Sequence, residues 1–160
     1  MPVRAVVGLG GNVGDSLDIL RKTLRDLDGL AHARLLQASR MYRTPAWGVT
    51  EQADFINAAA LLETTLEPRA LLEALLGIER INGRERLERW GPRILDLDLL
   101  LYGDSVIDEP GLHVPHPYLH ERAFALVPLL DVDPQALIPG RGSARDALAV
   151  LAYEGIEVVG

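Results

Sequence analysis

The chain has no cysteine among its 160 residues. That excludes disulfides and thiolate metal sites and fits a reducing compartment. Aromatic side chains make up only 5%, so each Phe, Trp or Tyr near a polar motif is worth weighing as a ligand contact. No apolar run reaches the roughly 20 residues that a membrane helix needs. The opening MPVRAVVGLGG, with one arginine and a short apolar stretch, does not read as a signal peptide. A cytoplasmic protein without a membrane segment is expected. Positive charge is also short: the formal net charge is −7, which disfavours nucleic acid and anionic membranes as partners.

With 48% hydrophobic and 24% charged residues, the composition is that of a globular protein. The length predicts one domain over residues 1–160 with a single good core. Residues 3–9 are a β-branched run ended by glycines and read as a strand. A helix follows over 15–27, with Leu17, Leu20, Leu24 and Leu27 on one face and Asp15 or Ser16 as cap. Residues 33–44 read as one long strand stopped by Pro45, and 45–54 as a long, Gly/Pro-marked loop. A strand over 55–64, a helix over 68–81 and a strand over 94–102 come next. Helices over 121–130 and 144–152 and a last strand at 156–159 close the pattern. The order β-α-β-β-α-β predicts an α+β sandwich of the ferredoxin-like kind, an antiparallel sheet with helices packed on one face.

Against this background RWGPRILDLDLLLYG, residues 89–103, is anomalous, because Asp96 and Asp98 sit inside an apolar run. A buried carboxylate is costly unless it is paired or ligates a metal. On a strand, residues i and i+2 share a face, so the two aspartates lie together, Cα atoms roughly 6.6 Å apart, while Leu97, Leu99 and Leu101 point the other way. Oxygen-only ligands at this spacing favour Mg²⁺, which completes its shell with water and substrate phosphate. Arg80, Arg84, Arg86, Arg89 and Arg93 lead into the pair, and arginine binds phosphate bidentately. A metal–nucleotide site is one reading; a solvated strand face is the other.

Three further groups carry alternatives. GLGGNVGDS, residues 8–16, has Val13 where a dinucleotide loop needs its third glycine, so a tight strand-to-helix turn competes with phosphate binding. His113, His116 and His120 have ligand-like spacing, but Pro115 and Pro117 deny it helical geometry, and a histidine held there beside Arg122 suits a phosphate instead. Phe55 and Phe124 are core residues or ring platforms, and Asn57, two residues after Phe55, is a buried amide or reads the edge of a heterocycle.

Taken together, GRERLERWGPRILDLDLLLYG (83–103), VPHPYLHERAFALVPL (114–129), YRTPAWG (42–48), DFINAAALLET (54–64) and GGNVGDS resemble the motifs of the 6-hydroxymethyl-7,8-dihydropterin pyrophosphokinases, in the same order. The resemblance implies a ferredoxin-like fold and an ATP-dependent diphosphotransferase of folate biosynthesis that releases AMP. It implies two Mg²⁺ ions on Asp96 and Asp98. ATP contacts would come from Glu79, Arg84, Arg86, Arg93, His116 and Arg122, of which Arg84, Arg93, His116 and Arg122 act in catalysis. The pterin would lie between Phe55 and Phe124, with Thr44, Pro45, Trp47 and Asn57 at its edges, and Arg86 and Trp90 would belong to a closing loop. A monomer is expected. Gly11 stands where many members carry serine, and the arginine loop has no lysine where some have one. A phosphatase built on DLDLL and a non-catalytic ligand-binding module are the rival readings.

Overall fold

The computed structural model describes residues 2–12, 15–45, 54–82 and 94–159. In chain order these form β1 (Val3–Gly11), α1 (Ser16–Asp28), β2 (Ala33–Ala38), β3 (Met41–Thr44), β4 (Phe55–Thr64), α2 (Pro68–Ile81), β5 (Asp96–Tyr102), β6 (Ile107–Glu109), β7 (Leu112–Val114), α3 (Ala123–Val132), β8 (Leu137–Ile138), β9 (Gly142–Ser143), α4 (Ala144–Ala149) and β10 (Glu157–Val159). The main sheet runs β10-β3-β4-β1-β5, with β2 also paired to β4, and each pairing in it is antiparallel. The α+β sandwich with a ferredoxin-like strand order is therefore as expected.

Local chemistry accounts for the helix starts. Asp15 caps α1 by accepting the Asp18 amide at 3.4 Å, and Pro68 opens α2, where a missing N–H costs nothing. Leu20 and Leu27 of α1, with Leu71, Leu75 and Ile78 of α2, bury against Ala5, Val7, Leu9, Leu62, Leu97 and Leu99 on one sheet face. Leu17 and Leu24 are only partly buried at the edge of that cluster.

Three details depart from expectation. Helices cover both sheet faces, not one: Leu126, Leu129 and Val132 of α3 pack with Val6, Ala59, Leu61, Leu100 and Leu101 on the opposite side. The reason is that both faces of the central strands are apolar, so each demands a cover. The expected strand over 33–44 is two strands: the Ser39 amide still donates to the Ala59 carbonyl at 2.8 Å, but the return bond goes to a side chain and Arg40 leaves the ladder. The Ser39 hydroxyl receives the Ala59 amide at 2.8 Å, and the Arg40 amide donates to Asp131 at 3.1 Å. Finally, Leu101 does not share a face with Leu97 and Leu99. A bulge between β1 and β5 at Val6/Val7 inserts one residue, so Leu100 and Leu101 both turn toward α3.

Candidate active site

The face of the sheet beneath α3 carries a cavity of about 250 Å³. Strand alternation builds its floor. Gly8 and Gly10 of β1 pair with Asp98 and Asp96 of β5, and on the other side Gly10 pairs with Asn57 of β4. The glycines therefore belong to the strand, not to a strand-to-helix turn, and their missing side chains leave the space the cavity occupies. A Cβ on Gly10 would stand 2.9 Å from Asn57 Oδ1, and one on Gly8 3.2 Å from Leu100 Cδ1.

Around this floor the expected residues converge. Thr44, Pro45, Phe55, Asn57 and Phe124 line one part, and Asp96, Asp98, His116 and Arg122 another. Asn57 is buried, and its amide donates to the Thr44 hydroxyl at 3.1 Å, so it is a held polar group rather than a loose one. Phe124 stays 38% exposed on a helix whose other residues are buried or half-buried, which leaves the ring available to a ligand. Arg122 lies over both the Tyr118 and Phe124 rings, at 5.3 and 5.5 Å, so its cation is carried to the cavity by aromatic faces.

His116 is held at Leu100, whose carbonyl accepts its amide at 3.0 Å. Burial first, then the Arg122 cation, hold its imidazole below the usual pKa, with Asp96 opposing. The ring is neutral at pH 7. Its Nδ1 accepts the Tyr118 amide at 3.2 Å, which leaves the proton on Nε2, 4.0 Å from Asp98 Oδ1. The other two histidines of the 113–120 group have partners of their own: His113 Nδ1 is 2.8 Å from Asp108, and His120 Nε2 is 3.7 Å from Glu121. Among the described residues no group of three or more His, Cys, Asp or Glu converges as a metal site. The donor set left at the cavity is the all-oxygen pair Asp96 and Asp98. It fits an ion that takes few protein ligands and reserves the rest of its shell for water and phosphate, which is the habit of Mg²⁺ and not of Zn²⁺.

Glu79 is not among the residues that line this cavity; it is 1% exposed, and its carboxylate accepts the Leu97 amide at 2.9 Å. It secures β5 from beneath. Trp47, Arg84, Arg86, Trp90 and Arg93 lie outside the described residues. Missed in the sequence were the floor glycines, whose alternation with Val7 and Leu9 was the available signal, and Leu100, Leu119 and Ala125 of the wall.

A ferredoxin-like sandwich that sets a carboxylate pair, an arginine and an aromatic slot on one sheet face has the layout of a phosphotransferase acting on a flat, polar-edged acceptor. The comparisons with known proteins make that class specific. Residues 6–134 match the model of the 7,8-dihydro-6-hydroxymethylpterin-pyrophosphokinase (HPPK) family. The chain is 44% identical over 156 residues to a 2-amino-4-hydroxy-6-hydroxymethyldihydropteridine pyrophosphokinase of Methylorubrum extorquens, covering 98% of each. It is 40% identical over 154 residues to the protein of the same name from Pseudomonas aeruginosa, covering 96% of this chain and 95% of that one. The chain belongs to the HPPK family and is an ATP-using diphosphotransferase of folate biosynthesis.

Solved structures support the fold. Plasmodium falciparum HPPK-DHPS in a triple-mutant form with SDX-DHP matches with a TM-score of 0.75 at 16% identity, over 93% of this chain. The wild type with pteroate matches with a TM-score of 0.73 at 14% identity, again over 93%. This chain spans 44% and 42% of those two longer chains.

Proposed function

We propose that the protein transfers the β,γ-pyrophosphoryl unit of ATP to the hydroxymethyl oxygen of 6-hydroxymethyl-7,8-dihydropterin. A bond forms between that oxygen and the β-phosphorus, the bond from the β-phosphorus to the α–β bridging oxygen breaks, AMP leaves, and the hydroxyl proton is released. The observation that carries this reading is the meeting, in one cavity, of Phe55, Asn57 and Phe124 with Asp96, Asp98, His116 and Arg122.

Each residue has a task. Phe55 and Phe124 bracket the pterin ring, and Asn57 with the Thr44–Pro45 segment sets its edge. Arg122 and the Nε2–H of neutral His116 donate to phosphate oxygens. Asp96 and Asp98 would hold two Mg²⁺ ions, which would supply charge neutralisation at the phosphates and lower the pKa of the acceptor hydroxyl. Arg84 and Arg93 join the phosphate contacts, and Arg86 and Trp90 the closing loop, on the strength of the motif they sit in. Trp47 joins the pterin edge on the same ground. What the protein contributes is position and a fixed electrostatic frame, since this transfer needs no covalent participation by a side chain.

The reading includes one domain over 1–160 acting as a monomer in the cytoplasm. The main sheet, which takes strands from β1 through β10, supports the single domain, and the lack of cysteine suits the cytoplasm. Of the rivals, a phosphatase of the aspartyl-phosphate kind needs a doubly wound parallel sheet, whereas each pairing described here is antiparallel.

The test is incubation with ATP, Mg²⁺ and 6-hydroxymethyl-7,8-dihydropterin, followed by nucleotide chromatography. Pterin-dependent AMP without ADP is the expected result. ADP or free phosphate would replace the reaction with another phosphotransfer, and tight pterin binding without turnover would make the chain a binding module.

A further inference from the structure

Strand β3 delivers Thr44 and Pro45 to the cavity, yet β3 is only four residues long. On one side β4 holds it, through pairs that include Thr44 with Phe55 and Tyr42 with Asn57. On the other side lies β10, pairing Glu157 with Arg43, Val158 with Tyr42 and Val159 with Met41. The Arg43 guanidinium reaches the Glu157 carboxylate at 2.7 Å. Ahead of β10 the chain passes over Pro45 itself. Gly155 adopts φ +79°, and a Cβ there would stand 2.9 Å from Pro45 Cγ and 3.3 Å from Cδ. A side chain at 155 would have to displace the proline ring that walls the site.

We infer that the segment from Gly155 through β10 is a positioning element for the pterin slot, acting through Arg43 and Pro45 and touching neither substrate. The inference rests on the functional reading above. The matched part of the family model ends at residue 134, so this segment lies outside it. The physical logic is that a short strand is set by its neighbours. With β10 in place β3 is an inner strand of the sheet, and its end cannot drift. Gly155 is what permits the segment to lie close enough, since it supplies both the positive φ and the missing Cβ.

Strain and positioning can be separated because the chain offers a matched control. Gly140 has φ +82°, and nothing lies within 4 Å of the Cβ that it lacks. Gly155→Ala and Gly140→Ala therefore share the backbone penalty, and only the first presses on Pro45. Steady-state kinetics with ATP, Mg²⁺ and the dihydropterin, alongside thermal unfolding, would be measured for both. Gly155→Ala is expected to raise KM for the dihydropterin by about fivefold or more while leaving kcat and KM for ATP near normal. Gly140→Ala is expected to lose similar stability with no change in that KM. Glu157→Lys, which sets like charge against Arg43, is expected to shift the same constant in the same direction. An unchanged pterin KM in Gly155→Ala, or equal effects of the two glycine variants, would overturn the inference while leaving the functional reading intact. Failure of the unaltered protein to turn over the dihydropterin would overturn both.

Discussion

The Glu79 carboxylate accepts the amide of Leu97, the residue between the two site aspartates, at 2.9 Å. A buried glutamate on α2 thus fixes the backbone from which Asp96 and Asp98 project in the opposite direction. Removing it strands a buried N–H and frees the start of β5. Glu79→Ala is expected to cost about 1–3 kcal/mol in urea unfolding and to depress turnover, while Glu79→Gln, which retains an acceptor, keeps most of both. Equal, near-normal behaviour of the two variants would show that this bond does not hold the strand.

A second tie joins Asp131 of α3 to Tyr42 of β3, with the hydroxyl donating at 2.6 Å and the Arg40 amide at 3.1 Å. Burial would raise the Asp131 pKa, but the hydrogen bonds from Arg40 and Tyr42 outweigh it and hold the carboxyl below its ordinary value. Burial, then Asp131, push Tyr42 up to about 12. The signs follow directly. The Asp131 contribution is complete at neutral pH and disappears as acid takes the solution below the ordinary carboxylate range and through the lowered folded value. The Tyr42 contribution is complete below the ordinary phenol value of about 10 and fades as pH rises from there to about 12, amounting to about 2–3 kcal/mol. Unfolding free energies measured across pH should lose part of the alkaline decline in Tyr42→Phe, with burial of Tyr102 sustaining the rest, and part of the acid decline in Asp131→Asn.

Gly10 makes a third prediction. In Gly10→Ala the new methyl meets Asn57 Oδ1, the side chain that also holds Thr44. The amide must move, and in the proposed binding mode the contact to the pterin edge moves with it. We expect KM for the dihydropterin to rise by about tenfold, with KM for ATP changed far less. A uniform fall in kcat with both KM values preserved would contradict this account.

Asp96→Ala and Asp98→Ala should each reduce turnover by at least about a hundredfold, since in the proposed reaction the charge they manage lies at the reacting phosphates. Circular dichroism should show the fold intact, because both side chains face the cavity and not the leucine core. Near-normal Mg²⁺-dependent rates in either variant would remove the carboxylates from the metal site.

Much of this site could be read before the fold was known. The Asp-x-Asp and Phe-x-Asn spacings carry their own geometry, because a strand puts i and i+2 on one face whatever surrounds it. Long-range chemistry was not legible. Asp131 and Tyr42 are 89 positions apart, and neither residue type announces such a partner. The break at Ser39–Arg40 follows from that tie and was hidden with it. Leu101 was assigned to the wrong face because a bulge is set by the partner strand, and a run of leucines gives no hint of where the alternation slips. The family resemblance sets Glu79 at the nucleotide, and its bond to the Leu97 amide, 18 positions along the chain, shows only in the fold.

The floor of the slot is peptide backbone, supplied where Gly8 and Gly10 run beneath it. A surface made of main chain cannot be trimmed by point mutation; it can only be crowded, and crowding it shifts Leu100 of the wall or Asn57, which in the proposed binding mode the substrate also needs in place. A compound that drew its affinity from those two peptide units would therefore face few routes to escape that did not also cost the enzyme its own chemistry.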